Sequence, residues 1–279
     1  MSTHGDNSGY ARPDMLVSTE WLNSHLQDTS LRILDARRSE AYAAGHIPGA
    51  LNLPIGGGYY IKDSNDPRFV MPPDQFEVLM ESLGISDGTQ IIAYDDDGGH
   101  QAARIWWVME YYGHPNSVRL LNGGWNMWVR ARRPTTVRLP RVNPGLITPR
   151  VNASLKASAD DVLKAKDTII MDVRSREEYE GIDNRPNKHH GHAPSAKHLE
   201  WTCSVDPDSD KAFCPADNIK GFYQKLGITP STSVITYCQG GVRAAQAMFA
   251  LKLLGYDNVR LYDGSWAEWG NRDDLPIEK

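Results

Sequence analysis

Of the three cysteines, Cys203, Cys214 and Cys238, only Cys238 stands among residues that make a thiol reactive. It follows the apolar run Ser233-Val234-Ile235-Thr236-Tyr237 and opens the short loop Gln239-Gly240-Gly241-Val242-Arg243 ahead of a helical pattern. Two adjacent glycines let the backbone curl until successive N–H groups face inward, which makes an anion-binding nest. The helix N-terminus adds a partial positive charge at the same spot, and Arg243 adds a full one. All three effects favour thiolate over thiol. The expected chemistry is nucleophilic attack by Cys238, with the same cradle holding any sulfur anion that the cysteine comes to carry. Cys203 and Cys214 flank the acidic stretch SVDPDSDKAF, where no positive group is fixed near them, and they read as ordinary thiols. An odd count without a CxxC pair excludes a disulfide framework, a zinc ribbon and a thioredoxin-like motif.

The elements that position this loop occur twice. LDARRSEAY (Leu34 to Tyr42) returns as MDVRSREEY (Met171 to Tyr179) after 137 positions, and GHIPGA (Gly45 to Ala50) returns as GHAPSA (Gly191 to Ala196) after 146. The nine extra residues are an insertion in the second copy around GIDNRPNKHH. VRLLNGGWNMW (Val118 to Trp128) returns as VRLYDGSWAEW (Val259 to Trp269). A period near 140 residues is a duplicated domain, not a solenoid. In each copy short strands, Leu31–Leu34 with Gln90–Tyr94 and Thr168–Met171 with Ser233–Tyr237, alternate with helical patterns. The helices expected after the second strands run from Ala102 to Tyr112 and from Ala244 to Leu254, each stopped by a glycine, Gly113 or Gly255. This alternation implies an α/β fold in two domains, each a mostly parallel sheet flanked by helices, with ligand sites beyond the carboxyl ends of strands. The domains are expected at 11–138 and 151–279. The proline-punctuated segment between them carries six arginines from Arg130 to Arg150 and no acidic residue, and reads as an extended linker pairing with acidic faces.

Duplication supplies an internal control. Asp35 and Asp172, Arg37 and Arg174, His46 and His192, and Trp125 and Trp266 occur in both copies and are expected to maintain the fold. That reading removes His192 from the cluster His189, His190, His192 and His198, and no metal is expected. The copies diverge after the second strand, where YDDDGGHQAAR (Tyr94 to Arg104) faces YCQGGVRAAQ (Tyr237 to Gln246). Asp95 stands where Cys238 stands. The loop of Asp95, Asp96, Asp97 and His100 reads as solvated surface whose acidity would repel an anionic donor, and Trp106 and Trp107 read as packing.

From about Val17 to Trp269 the chain resembles the tandem-domain rhodanese-family sulfurtransferases. The resemblance is carried by LDARRSEAYAAGHIPGA, YDDDGGHQAARIWW, the loop CQGGVR and the closing YDGSWAEW. It implies an inactive N-terminal domain with Asp95 in place of the cysteine, an active C-terminal domain, and a persulfide on Cys238. The implied reaction takes the outer sulfur of thiosulfate and hands it to cyanide or a cellular thiol, with no cofactor. The implied substrate-binding set is Gln239, Gly240, Gly241, Val242 and Arg243, with Arg174. Thiosulfate-using relatives carry basic residues at loop positions two and three, whereas mercaptopyruvate-using ones have an uncharged loop with Ser or Thr. This loop has its single cation at position six, and thiosulfate is the expected donor, with 3-mercaptopyruvate the alternative. Glu178 stands where animal thiosulfate enzymes have a basic residue, which speaks against donor binding through a second arginine.

Two other readings stay open. A cysteine phosphatase or arsenate reductase shares the thiolate cradle and terminal arginine, but related phosphatases place five residues between Cys and Arg, and here there are four. A carrier module would use the persulfide only to relay sulfur to a partner. Composition bounds the rest: a net charge of −5 and a pI near 6.0 argue against a nucleic-acid binder, and no apolar stretch is long enough for a membrane span. The first fourteen residues have no apolar core, so no signal peptide and a cytoplasmic location are expected.

Overall fold

The computed structural model describes residues 9–55, 61–183 and 185–279, so eight of the fourteen residues from which no signal peptide is expected, 1–8, lie outside the described residues. Contacts divide the chain into two units. The first holds Pro13–Asn152 with Val205–Phe213, and the second holds Gly9–Arg12, Ala153–Ser204 and Cys214–Lys279.

In the first unit the strands are β1 (Leu16–Val17), β2 (Leu31–Asp35), β3 (Ala50–Asn52), β4 (Gln90–Tyr94) and β5 (Val118–Leu121). Its helices are α1 (Thr19–Ser24), α2 (Ser39–Ala44), α3 (Pro73–Ser82), α4 (His100–Tyr111) and α5 (Gly124–Arg130). The second copy supplies β6 (Lys156–Ala157), β7 (Thr168–Asp172), β8 (Lys197–His198), β11 (Ser233–Tyr237) and β12 (Val259–Tyr262). With them come α6 (Ala159–Leu163), α7 (Arg176–Glu180), α8 (Ala216–Lys225), α9 (Val242–Leu253) and α10 (Ser265–Trp269). The remaining strands, β9 (Val205–Asp206) and β10 (Ala212–Phe213), form an antiparallel pair that belongs by contact to the first unit, where Phe213 N donates to Asn122 Oδ1 at 2.9 Å.

Each five-stranded sheet is parallel throughout, in the orders β1-β5-β4-β2-β3 and β6-β12-β11-β7-β8. The two orders are the same. Parallel neighbours need crossover connections, and the alternating helices provide them. β4 and β11 lie between neighbours on both sides and are buried along four of their five residues, which is why they read as unbroken apolar runs. The α4 and α9 helices begin two residues before the expected starts, because Gly99 and Gly241 adopt left-handed φ values of 78° and 82° and turn the chain directly into a helix.

The shared words assemble into the same cluster in each unit. Arg37 donates from Nε and Nη2 to Asp35 and from Nη2 to the Gly45 carbonyl, with its guanidinium 3.9 Å from the Trp125 ring centroid. Arg174 does the same with Asp172, the Gly191 carbonyl and the Trp266 ring at 4.3 Å. His46 and His192 stack on Tyr42 and Tyr179 at 3.9 and 3.7 Å, each with Nδ1 2.9 Å from that tyrosine's carbonyl oxygen. Both Asp–Arg pairs are buried, and each ties the end of a central strand to the GHxP turn. The linker beyond Arg133 forms no helix or strand, and within the first unit Arg150 pairs with Asp87 at 3.4 Å. Among the described residues no helix is long and apolar enough to cross a membrane.

Candidate functional site

Cys238 follows the last residue of β11 and is 1% exposed. The loop after it is short: Gly241 is already the N-cap of α9, and its N–H points back at Cys238 Sγ over 3.1 Å. The loop carbonyls are taken by the start of α10, where Trp266 N donates to Cys238 O at 2.9 Å and Ala267 N to Gln239 O at 2.8 Å. The Cys238 N–H donates to Ser265 Oγ at 3.2 Å. The N-terminal ends of α9 and α10 therefore both hold the loop. The sulfur lies at the positive end of a twelve-residue helix, where an anion is favoured.

Arg243, in the first turn of α9, is paired. Its Nη1 and Nη2 donate to Glu178 Oε2 and Oε1 at 2.6 and 2.9 Å. Burial would make the guanidinium easier to deprotonate, but the Glu178 hydrogen bond and the charges of Cys238 and Glu178 outweigh it and raise its pKa. Burial acts on Glu178 in the opposite sense, and Arg243 overcomes it to hold the carboxyl below the usual glutamate value. Arg185, from the insertion, adds a second cation to Glu178 at 3.3 Å. Sequence reasoning placed Glu178 as an obstacle to a second anion-binding arginine and missed that it anchors the first. The available signal was the Ser175-x-x-Glu178 spacing: a capping box seats Glu178 in the first turn of α7.

The insertion also reaches loop position two. Gln239 Nε2 donates to Asn187 Oδ1 at 2.9 Å, and Asn187 Nδ2 lies 3.4 Å from Gln239 Oε1. Asn187 is itself held by Asn271, and Lys188 N donates to Asn271 Oδ1 at 2.9 Å. The structure thus brings Gln239, Gly241 and Arg243 next to Cys238, with Gly240 in the loop between them and Val242 opening α9. Arg174 is 2% exposed and makes the bonds that Arg37 makes in the copy without a cysteine. Three of the four histidines in the cluster are separately engaged, His189 with Asp273, His192 with Tyr179 and His198 with the Arg174 carbonyl. Among the described residues no group of three or more His, Cys, Asp or Glu is placed to hold a metal ion.

The corresponding place in the first unit is filled by its own side chain. Asp95 accepts four backbone N–H bonds, from Asp97 and Gly99 to Oδ1 and from Gln101 and Ala102 to Oδ2, at 2.8–3.0 Å. This loop is one residue longer than its partner: α4 starts five residues after Asp95, whereas α9 starts four after Cys238. The longer loop makes room for a carboxylate where the shorter one wraps a single sulfur. Asp97 pairs with Lys211 of the same unit, and burial followed by the Asp95 charge pushes the Asp96 carboxyl up. Trp106 and Trp107 are buried in α4.

Comparison with known proteins agrees with this duplication. The family described as Rhodanese-like domain matches twice, over residues 18–131 and 155–272. The chain is 39% identical to the sulfur carrier protein TtuD of Thermus thermophilus, across 97% of this chain and 99% of that one. It is 35% identical to the thiosulfate sulfurtransferase of Corynebacterium glutamicum, across 96% and 92%. The thiosulfate sulfurtransferase of Azotobacter vinelandii is 33% identical, across 96% and 98%. Among solved structures, an anaerobic ergothioneine biosynthesis enzyme from Chlorobium limicola in complex with trimethyl histidine superposes with a TM-score of 0.82 at 26% identity, over 96% of this chain and 71% of that one.

Proposed function

The chain belongs to the rhodanese family, with two copies of its domain, and on that footing we propose that it is a sulfurtransferase whose second domain carries a sulfane sulfur on Cys238. Relatives named thiosulfate sulfurtransferase along nearly the whole chain support the reaction class. The observation that carries the assignment to Cys238 is its sulfur beneath the Gly241 N–H at the positive end of α9, with Arg243 in the adjoining turn.

The Cys238 thiolate attacks the outer sulfur of thiosulfate. A bond forms between the two sulfurs, the sulfur–sulfur bond of the donor breaks, and sulfite leaves with the electron pair. The persulfide anion then rests in the cradle, stabilised by the loop N–H groups and the helix dipole, as an oxyanion hole stabilises oxygen. Cyanide or a thiol attacks its outer sulfur and returns the pair to Cys238. Two half-reactions through one covalent intermediate give ping-pong kinetics. Arg243 balances the charge of the anionic sulfur, and Gln239 presents a carboxamide at the second loop position. Arg174 holds the end of β7, the strand that pairs with the one from which the loop springs. The first domain takes no part in the chemistry, because Asp95 occupies its own cradle.

Thiosulfate is the favoured donor over 3-mercaptopyruvate because the loop retains a terminal cation. A second reading, a carrier that relays the persulfide to a partner protein, is favoured by the identity to TtuD. Intact-protein mass after thiosulfate and then cyanide, repeated with 3-mercaptopyruvate, tests the scheme. The expected result is a gain of one sulfur from thiosulfate, discharged as thiocyanate over many turnovers. Loading only from mercaptopyruvate reverses the choice of donor. A single discharge without turnover favours the carrier, and loading from neither overturns the assignment.

A further inference from the structure

The copies differ at one buried position beside the loop that this reading of Cys238 does not use. In the first copy Gly124 has φ 51°, and a Cβ built there would stand 2.1 Å from the Asp95 carbonyl oxygen. No side chain fits. In the second copy the same place in the VRL-x-x-G-x-W word is Ser265, which is fully buried and holds nearly the same φ, 50°. A residue with a Cβ is strained in this left-handed region, and glycine in the sister copy shows that the fold does not require the side chain. Strain of this kind persists where the surroundings hold it in place, and here the hydroxyl is fully engaged. Ser265 Oγ accepts the Cys238 N–H at 3.2 Å and donates to the Tyr262 carbonyl at 2.8 Å.

The effect is to grip Cys238 at both of its peptide groups. Ser265 holds the N–H, and Trp266 N holds the carbonyl at 2.9 Å. The first copy retains the second contact, from Trp125 N to Asp95 O at 2.8 Å, but has no hydroxyl for the first. A carboxylate satisfied by four N–H bonds needs no further alignment. A thiolate that must meet a sulfur–sulfur bond end-on does, and misplacement of a nucleophile by a fraction of an ångström slows attack severely.

We propose that Ser265 is a positioning residue for Cys238, a strained serine that fixes the cysteine backbone so that Sγ stays aligned beneath the Gly241 N–H. The inference rests on Cys238 being the nucleophile. Because Ser265 does not touch the donor, it acts on the rate of attack and not on donor binding.

The test is Ser265→Gly, which relieves the strain and copies the first domain, beside Ser265→Ala, which removes the hydroxyl and keeps the strain. Three quantities are measured in the full chain: persulfide loading against thiosulfate concentration, alkylation of Cys238 by iodoacetamide, and the thermal unfolding midpoint. For Ser265→Gly, loading at saturating donor should fall roughly tenfold or more, with KM within about twofold and the unfolded fraction unchanged at the assay temperature. Alkylation should slow as well. Wild-type rates in both variants overturn the proposal, as does a loss of rate that only tracks loss of folded protein. If the wild type takes no sulfur from thiosulfate, the donor assignment fails while the alkylation arm still decides the role of Ser265.

Discussion

Around Cys238 the decisive groups act in pairs, and each pair makes a measurable claim. Cys238→Ser should gain no sulfur by intact mass while keeping the wild-type unfolding midpoint within a few degrees. Arg243→Ala removes the counter-charge of the loop and leaves Glu178, whose side chain is 2% exposed, with the Ser175 N–H and the longer contact to Arg185. It should raise KM for thiosulfate and destabilise the protein by about 2 kcal/mol in urea unfolding, with part of that recovered when Glu178→Gln is added. The same pair sets an acid limit. Glu178 titrates below its ordinary value of 4.5 in the folded state, so its contribution is present above that value and is lost as pH falls through the lowered one. Urea unfolding at pH 3 to 6 should show a fall in stability at the acid end that Glu178→Gln flattens. Cys203 is the opposite case: burial, then the Cys214 charge, pushes its thiol up to about 12. At neutral pH iodoacetamide should therefore modify Cys238 ahead of Cys203, checked by peptide mapping.

At the scale of elements, the insertion between α7 and β8 is the part of the second copy that the first lacks, and it lies against the loop. Its Asn187 meets Gln239 of the loop and its Arg185 meets Glu178, the partner of Arg243, so both contacts come from residues with no counterpart around Asp95. A double-mutant cycle of Asn187→Ala and Gln239→Ala, read in KM for thiosulfate, should be non-additive by about 0.5–1.5 kcal/mol. Additive effects would mean that the insertion only covers α10. The regular elements themselves were legible, because central parallel strands are apolar along their length and helix stops are glycines. Their starts were less so. The beginnings of α4 and α9 depend on a left-handed glycine rather than on periodicity, and a pattern of apolar spacing does not register it.

At the scale of the whole molecule, each contact unit includes a short segment from outside its own copy. Arg12 N donates to the Leu253 carbonyl at 3.1 Å and its side chain pairs with Asp257, so the second unit is completed by residues that precede the first sheet. The first unit is likewise completed by Val205–Phe213 through Asn122. A fragment of residues 153–279 lacks the Arg12 contacts, worth about 1–2 kcal/mol. Its unfolding midpoint should lie roughly 4–8 °C below that of the matching transition in the full chain, measured by circular dichroism. An equal midpoint would make the exchanged segments ornamental.

The sequence by itself determined the duplication, the alternation of strand and helix, the parallel sheets, and the replacement of Asp95 by Cys238 at the end of a strand. These are properties of words a few residues long, in which composition and spacing act locally. Tertiary structure alone decided that Glu178 pairs with Arg243 across 65 positions and that Ser265 grips Cys238 across 27. It also decided that Asp95 fills its own cradle and that Asn187 holds Gln239. The physical reason is that a hydrogen bond between distant residues is settled by how strand ends, helix ends and an insertion converge in space. Two residues far apart in the chain carry no sign of that convergence in their types alone.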